Sequence, residues 1–326
     1  MKVLKKNNLY KLLKTANARY QLVVPCKKTN GDILFEESGP IADIPEGYVL
    51  PYNSLKDFFF PQSEILLPER KKRNKKVLFF GVRPCDIKAL NFQDLFFSRA
   101  PQDFYYLKKR RNSLIISLAC SAPAKNCFCL FTKSGPYLEE QDNFDLQFTD
   151  LGDEYIVEVG NKKGEDFLLN FKHFFADSNT SQAKEKKACH ARCKMKMESA
   201  YDMEMKNEKL KTENLTELWK GLSLRCTNCG GCEFICPTCF CFDIKDYPIG
   251  EKSIRLRAWD SCTYEGYSRM AGGYNPYQDR THRIKKRFYC KLYHAKIWFN
   301  MYGCVGCGRC TSVCPVNLEM ESFINS

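Results

Sequence analysis

Residues 226–237 have the sequence CTNCGGCEFICP, and residues 304–315 have the sequence CVGCGRCTSVCP. Both stretches fit C-x2-C-x2-C-x3-C-P, a spacing typical of cysteine runs that hold two [4Fe–4S] clusters. The first three thiolates of such a run bind one cluster, and the fourth, beyond a short helical turn, binds the other. The pattern predicts two clusters with crossed ligation, one bound by Cys226, Cys229, Cys232 and Cys314 and the other by Cys304, Cys307, Cys310 and Cys236.

Zinc ribbons and accidental clustering of thiols are the alternatives for these cysteines. Zinc sites pair C-x2-C units across a longer gap and need no third cysteine two residues further on. The spacing therefore favours iron–sulfur clusters, and with them a protein that moves single electrons.

Length and composition indicate a protein of about two domains. The 326 residues are 44% hydrophobic, which is enough for a buried core. The 19 cysteines indicate metal ligation in a reducing compartment, because disulfide scaffolds belong to short secreted domains. The N-terminus MKVLKKNNLYKLLKT lacks the apolar core of a signal peptide, and no apolar run approaches membrane-spanning length. We therefore expect a cytoplasmic protein without a membrane span.

The formal charge of +13 overstates the basic character of the protein, because it counts every cysteine as neutral. Each oxidised [4Fe–4S] core with four thiolates carries a charge of about −2. The sequence contains no known nucleic-acid-binding module, so we expect no nucleic-acid partner. The basic tracts Lys71-Lys72-Arg73 and Lys285-Lys286-Arg287 are interpreted as solvated surfaces or docking sites for a partner protein.

The first 180 residues have the pattern of an α/β domain built around a βαβ unit. In that unit, Asp86 is expected to cap a helix that buries Ile87, Leu90 and Leu95 on one face. The predicted elements are a helix near 5–16, strands at Tyr20–Pro25, Ile33–Glu36, Lys76–Val82 and Ser113–Ala119, and further antiparallel strands within 145–170.

The predicted fold class is α+β, with an N-terminal α/β domain and a C-terminal ferredoxin-like domain for two [4Fe–4S] clusters. The α/β domain covers residues 1–180, and the dicluster domain covers residues 216–326 with a long insert at 237–303. Residues 181–215 between them are rich in Lys, Glu and Met and predict an exposed helical connector.

A second set of cysteines follows the two strands of the βαβ unit. Cys85 comes after the first strand and Cys120 after the second, and the following loop adds Cys127 and Cys129. A right-handed crossover makes the two strands parallel, so their carboxyl ends meet at one edge of the sheet. Buried core cysteines are the alternative. Topology and number together favour a third [4Fe–4S] site.

The insert contains a third set of cysteines, which consists of Cys239, Cys241, Cys262 and Cys290. A C-x-C pair with two distant thiols fits a further iron–sulfur cluster or a zinc ion. Alternatively, Cys239 and Cys241 pack beneath the neighbouring cluster without binding metal. Cys189 and Cys193, at i and i+4 of the connector, have too few ligands around them for a metal site.

No dinucleotide-binding or P-loop fingerprint occurs in the sequence. We therefore expect no flavin or nicotinamide site in this chain.

Several stretches occur in an order that resembles two related families, the beta subunits of cytosolic archaeal sulfhydrogenases (NiFe hydrogenases) and the A subunits of anaerobic sulfite reductases. The resemblance runs from about residue 76 to the C-terminus and rests on FGVRPCD at 80–86, NCFC at 126–129, CPTCFC at 236–241, WDSC at 259–262, AGG at 271–273 and CVGCGRC at 304–310. In the sulfite-reductase relatives a histidine stands where this chain has Cys290.

The resemblance implies an electron-transfer subunit without a catalytic centre of its own. Its partners would be a flavin/[2Fe–2S] subunit that oxidises NAD(P)H and a catalytic subunit that reduces protons, sulfur or sulfite. Two other functions stay open: a free-standing iron–sulfur flavin oxidoreductase, and a zinc-stabilised nucleic-acid-binding or scaffold protein.

Overall fold

A computed structural model describes residues 1–37, 39–68, 75–197, 215–250, 252–318 and 320 of the chain. Within these residues the strands form one eight-stranded and one three-stranded sheet. The strands are β1 (Lys2–Lys5), β2 (Tyr20–Lys27), β3 (Ile33–Glu37), β4 (Ser63–Leu67), β5 (Lys76–Val82), β6 (Ser113–Leu118), β7 (Leu146–Asp150), β8 (Glu154–Val159), β9 (Ala176–Asp177), β10 (Phe242–Ile249) and β11 (Lys252–Trp259).

The helices lie on both sides of the large sheet and around the cysteine runs. They are α1 (Leu9–Ala16), α2 (Lys56–Phe59), α3 (Pro84–Phe97), α4 (Phe104–Arg111), α5 (Lys162–Asn170), α6 (Thr180–Met195), α7 (Thr216–Arg225), α8 (Gly231–Phe234), α9 (Arg280–Tyr289), α10 (Ala295–Phe299) and α11 (Arg309–Val313). A π-helical turn, Cys290–His294, joins α9 to α10. Short 3-10 turns occur at Lys6–Asn8, Ile41–Asp43, Lys172–Phe174, Glu265–Ser268 and Ala271–Gly273.

The large sheet has the strand order β3-β2-β5-β6-β7-β8-β1-β9. Its central strands β2, β5, β6 and β7 are parallel, and the flanking pairs are antiparallel. Along β5, Leu78 and Phe80 contribute to the core on one face, while Phe79 contributes to the core on the other. Burial on both faces explains why these strands are continuous apolar runs. The predicted βαβ unit and the α+β fold class are confirmed.

The start of α3 differs from the prediction. The helix begins at Pro84, and Arg83 takes the N-cap position without a side-chain cap. Asp86 lies inside the first turn and forms a buried ion pair with Arg309 over 2.6 Å instead. Leu95 is 42% exposed, so it does not belong to the buried face with Ile87 and Leu90. The prediction failed because the partner of Asp86 comes from a distant part of the sequence.

The antiparallel strands predicted within 145–170 are only partly correct. β7 is parallel to β6, and only β8 runs antiparallel to β7. Residues 162–170 form α5, whose N-cap Asn161 accepts hydrogen bonds from the backbone of Lys163 and Gly164. The helix predicted near 5–16 is also shorter, because β1 ends at Lys5 and residues 6–8 form a 3-10 turn before α1.

The small sheet joins the insert to the N-terminal half of the chain. β11 pairs with β4, and β10 pairs with β11, in the order β10-β11-β4. The buried Arg257 of β11 donates to Glu64 of β4 over 2.7 Å and also pairs with Asp103. The insert is therefore anchored on the α/β part of the molecule. Of the predicted connector, α6 packs against β7 and β8, and residues 198–214 lie outside the described residues.

Candidate metal centres

The two cysteine runs have the same backbone conformation. Asn228 and Gly306 each lie two residues after the first cysteine of their run, and φ is 60° in both. Gly230 and Gly308 follow the second cysteine and have φ of 73° and 75°. This left-handed conformation turns the chain into the short helices α8 and α11. The backbone N–H groups of Asn228 and Gly306 point at Cys226 Sγ and Cys304 Sγ over 3.3 and 3.4 Å. The same local structure is thus built twice.

The fold places Cys236 among the thiols of the other run. Burial, together with smaller contributions from the neighbouring thiols of Cys310 and Cys236, raises the pKa of the Cys304 thiol to about 12. Burial also raises the pKa of Cys307, with added contributions from Cys236 and Cys310. Such electrostatic effects require that these groups lie close together. The structure therefore brings together the four cysteines predicted for the second cluster.

The end of the second run lies beside the start of the first run. Arg225, next to Cys226, donates to the carbonyl oxygens of Val316 and Asn317 over 3.0 and 3.3 Å. Burial raises the pKa of Cys232 to about 12, and Cys310 and Cys226 add to the effect. Cys229 is exposed. This half of the dicluster arrangement therefore lies closest to the protein surface.

Arg83 ties together the strand ends that carry Cys85 and Cys120. Its guanidinium donates to the carbonyl oxygens of Leu118 and Ala119 over 3.2 and 3.4 Å, and also to that of Tyr48. The strand-end cysteines line one cavity with about 340 Å³ of empty space, its mouth included, namely Cys85, Cys120, Cys127 and Cys129. The structure brings these four thiols to one cavity, as the sequence predicts; their role as ligands stays a prediction.

The strand-end cavity borders the second cysteine run directly. Cys307 also lines this cavity. The backbone N–H of Phe128 donates to the carbonyl of Gly306 over 2.8 Å. A Cβ atom on Gly306 would lie 2.6 Å from the carbonyl carbon of Phe128, so a larger residue cannot make this close approach. The second run and the strand-end cysteines form one continuous group of thiols.

The insert cysteines gather around the buried carboxylate of Glu233. Cys262 Sγ lies 2.9 Å from Glu233 Oε1, and a hydrogen bond with Cys262 lowers the pKa of Cys241. Burial raises the pKa of Cys290, and Cys241 and Glu233 raise it further. A hydrogen bond between Cys239 and Cys236 holds the pKa of Cys236 well below its ordinary value. The insert set therefore adjoins the second cluster site through Cys239.

Cys193 is a further thiol that the sequence did not associate with the strand-end set. It is fully buried on α6. Burial raises its pKa to about 11, with a contribution from Cys127. Cys189, by contrast, is only partly buried, and its thiol lies 3.8 Å from the carbonyl oxygen of Asp150. The spacing of two cysteines on one helix gave no indication of this difference.

Four buried cations near the thiols were also missed by sequence reasoning. They are 3–6% exposed and consist of Lys56, Arg287, Lys291 and Arg309. The surface interpretation of Arg287 is wrong, because α9 buries this side chain together with Ile284 and Phe288. The helical spacing of Ile284, Phe288 and Leu292 could have revealed this buried face. Lys71-Lys72-Arg73 lie outside the described residues.

The charges at these sites fit an anionic metal cluster. Arg309 pairs with Asp86, but Lys56, Arg287 and Lys291 have no carboxylate partner among the described residues. A buried cation is costly without a nearby negative charge. Burial opposes the charged form of Arg287, but the neighbouring thiols of Cys232 and Cys310 raise its pKa, and Glu233 adds a smaller contribution. The buried Nε of Arg83, a residue of the strand-end cavity, also finds no acceptor in the described part of the chain.

The thiols are not arranged for a single metal ion. Among the described residues, no group of three or more His, Cys, Asp or Glu side chains could hold one. A [4Fe–4S] cluster needs a different arrangement, because each of its four irons binds one cysteine and the sulfurs stand around the cluster. Since most of these thiols have raised pKa values, binding iron as thiolates would release protons.

Comparison with known proteins agrees with this geometry. Residues 225–318 match the family model of the 4Fe–4S dicluster domain. This chain is therefore an iron–sulfur protein whose dicluster domain supports at least two [4Fe–4S] clusters. It is 30% identical over 304 residues to sulfhydrogenase 2 subunit beta of Pyrococcus furiosus, a match that covers 89% of this chain and 87% of the relative. The chain belongs to the family of sulfhydrogenase beta subunits. None of the described helices has both the length and the apolar character needed to cross a membrane.

Proposed function

We propose that this chain is the electron-transfer subunit of a multi-subunit oxidoreductase in the cytoplasm. It relays electrons between a flavin/[2Fe–2S] subunit that oxidises NAD(P)H and a catalytic subunit that reduces protons, sulfur or sulfite, and has no catalytic residues of its own. The observation that carries the proposal is the position of Cys236 among Cys304, Cys307 and Cys310. Crossed ligation holds two clusters close together, as electron transfer between them requires.

The proposed ligand sets follow the four groups of thiols. The first cluster is bound by Cys226, Cys229, Cys232 and Cys314, and the second by Cys304, Cys307, Cys310 and Cys236. The strand-end set Cys85, Cys120, Cys127 and Cys129 binds a third [4Fe–4S] cluster. The insert set Cys239, Cys241, Cys262 and Cys290 binds a further cluster.

The second cluster site is the centre of the proposed relay. Cys307 borders the strand-end cavity, and Cys310 is a neighbour of Cys232 in the first run. Cys236 contacts Cys239 of the insert set. The second cluster site therefore adjoins each of the other three sites. The exposed Cys229 favours the first cluster as a point of exchange with a partner subunit.

The chain divides, in this proposal, into an α/β domain at 1–180, a connector at 181–215 and the dicluster domain at 216–326 with its insert at 237–303. The pairing of β11 with β4 anchors the insert on the α/β domain. The hydrogen bond from Phe128 to Gly306 joins the strand-end loop to the second run of the dicluster domain.

We expect the Cys85→Ala/Cys120→Ala double variant to lose about four irons and about four acid-labile sulfides per chain. The two thiols lie at one cavity, and a cluster left with two of its four ligands is not held. Iron and sulfide are measured on anaerobically purified protein. The Cys26→Ala variant is the matched control, because Cys26 is an equally buried cysteine in the core of the large sheet.

An iron content that is the same in the double variant and in the wild type would show that these cysteines bind no third cluster. Stoichiometric zinc in place of iron would also contradict the proposed electron-transfer function, and would favour the zinc-stabilised scaffold.

We expect the isolated chain to contain iron but no stoichiometric flavin, and NAD(P)H to leave its visible absorption unchanged. The reason is that no dinucleotide fingerprint occurs in the sequence. Dithionite should bleach the same sample, which shows that its clusters are competent, and addition of the flavin subunit should restore reduction by NAD(P)H. Tightly bound flavin with direct bleaching by NADH would instead establish the free-standing oxidoreductase.

A further inference from the structure

Lys291 lies at the junction between the insert and the second cluster site. It follows Cys290 in the π-helical turn and is 5% exposed. Its Nζ donates a hydrogen bond to Thr238 Oγ1 over 2.7 Å. A backbone hydrogen bond also holds this residue in place, because the N–H of Gly303 donates to the carbonyl of Lys291 over 2.8 Å. Gly303 immediately precedes Cys304, so the π-helical turn is held against the start of the second run. Single π-helical turns within helices frequently occur at functional sites.

Thr238 connects the ammonium group to a cluster cysteine. The side chain is fully buried, and its hydroxyl lies 3.2 Å from Cys236 Sγ. The same hydroxyl donates to the carbonyl of Gly303 over 2.6 Å. A hydroxyl has one proton to donate and two lone pairs that can accept. Lys291 donates to one lone pair of this hydroxyl, and the hydroxyl's own proton goes to Gly303. Thr238 therefore holds the ammonium group of Lys291 beside the sulfur of Cys236.

The negative charges near Lys291 come from sulfur. No carboxylate forms an ion pair with Lys291 in the part of the chain that the structure describes. The sulfurs near it belong to Cys290, the preceding residue, and to Cys236, which lies 3.2 Å from the hydroxyl that Lys291 Nζ bonds. Removing an ammonium group from water costs several kcal/mol unless an opposite charge lies close by. Anionic thiolates next to this side chain would therefore stabilise its buried charge.

We propose that Lys291 is the counter-charge that sets the reduction potential of the cluster bound by Cys304, Cys307, Cys310 and Cys236, with Thr238 as the group that positions its ammonium beside Cys236. This inference rests on the proposed function, because it assumes that the cluster is present. Reduction adds one electron to the cluster and makes it more negative by one charge. A buried positive charge interacts strongly with that added charge, because few water molecules screen it. It therefore stabilises the reduced form and raises the potential.

The test is an EPR-monitored redox titration of the full chain, purified anaerobically, with dithionite as reductant and ferricyanide as oxidant. The Lys291→Met variant keeps the length of the side chain and removes its charge. We expect it to retain the iron and sulfide of the wild type and to shift the midpoint potential of this one cluster to a more negative value. The Thr238→Val variant, which keeps the shape and removes the hydroxyl, is expected to shift the same midpoint in the same direction by a smaller amount.

Lys286→Met is the matched control. Lys286 lies on α9, and its Nζ bonds Ser268 Oγ over 2.9 Å and stands over the ring of Tyr277 at 4.1 Å. Removal of this charge is expected to leave every midpoint potential unchanged.

Iron-replete Lys291→Met protein with an unchanged midpoint would overturn the inference while leaving the proposed function intact. Loss of the cluster in both Lys291→Met and Thr238→Val would also overturn it, because these residues would then be needed for assembly. If the wild-type protein were purified without iron, that result would instead contradict the proposed function itself.

Discussion

The Cys236→Ala variant is expected to lose the EPR signal of the cluster bound by Cys304, Cys307 and Cys310, together with about four irons per chain. Cys236 lies in the first run of the sequence, but its thiol raises the pKa of Cys304 and of Cys307 in the second run, in addition to the larger effect of burial. The measurement combines iron analysis with EPR of the reduced protein. The Cys304→Ala variant, which removes a ligand from the second run itself, identifies the signal of the second cluster independently.

The reciprocal variant Cys314→Ala provides the internal check, because it should remove the other signal. Arg225 places the end of the second run beside Cys226, where this cysteine is needed. Cys193→Ala is the matched control, since Cys193 is buried but stands outside both ligand sets. If Cys236→Ala instead spared the signal that Cys304→Ala removes, and Cys314→Ala removed that signal, each run would bind its own cluster without crossing.

The Arg309→Met variant is expected to destabilise the fold by about 3–5 kcal/mol, because it leaves a buried carboxylate without its partner. Arg309 donates to Asp86 over 2.6 and 2.8 Å and to the carbonyl oxygens of Pro51 and Asn53 over distances of up to 3.2 Å. The guanidinium thus joins α11 of the dicluster domain to α3 and the loop before α2. We expect the apparent melting temperature to fall by roughly 5–10 °C.

The melting temperature is measured anaerobically at a fixed scan rate, since proteins that lose a cofactor on unfolding do not unfold reversibly. Arg255→Met is the matched control: its bidentate pair with Asp246 has the same geometry, at 2.8 Å, but lies on the surface. An exposed pair contributes at most about 1 kcal/mol. Equal effects of the two substitutions would mean that Arg309 does not join the two parts of the molecule.

The sequence by itself determined the parts of the protein that depend on local spacing. The runs at 226–237 and 304–315 specify their clusters because three of four ligands lie within seven residues of one another, and short-range turns bring them together. The strands at 76–82 and 113–118 were likewise evident, because burial on both faces of a sheet requires continuous apolar residues. Right-handed crossover then placed Cys85 and Cys120 at one edge.

Only the tertiary structure decided how charged residues are used. Asp86 has the position of a helix cap in the sequence, but its partner Arg309 lies 223 residues away. Arg287 and Lys291 resemble surface residues, yet α9 and the π-helical turn bury them beside thiols from both runs. A charge is stable in the interior only where the fold supplies an opposite charge, and that charge comes from distant segments whose approach no local pattern records.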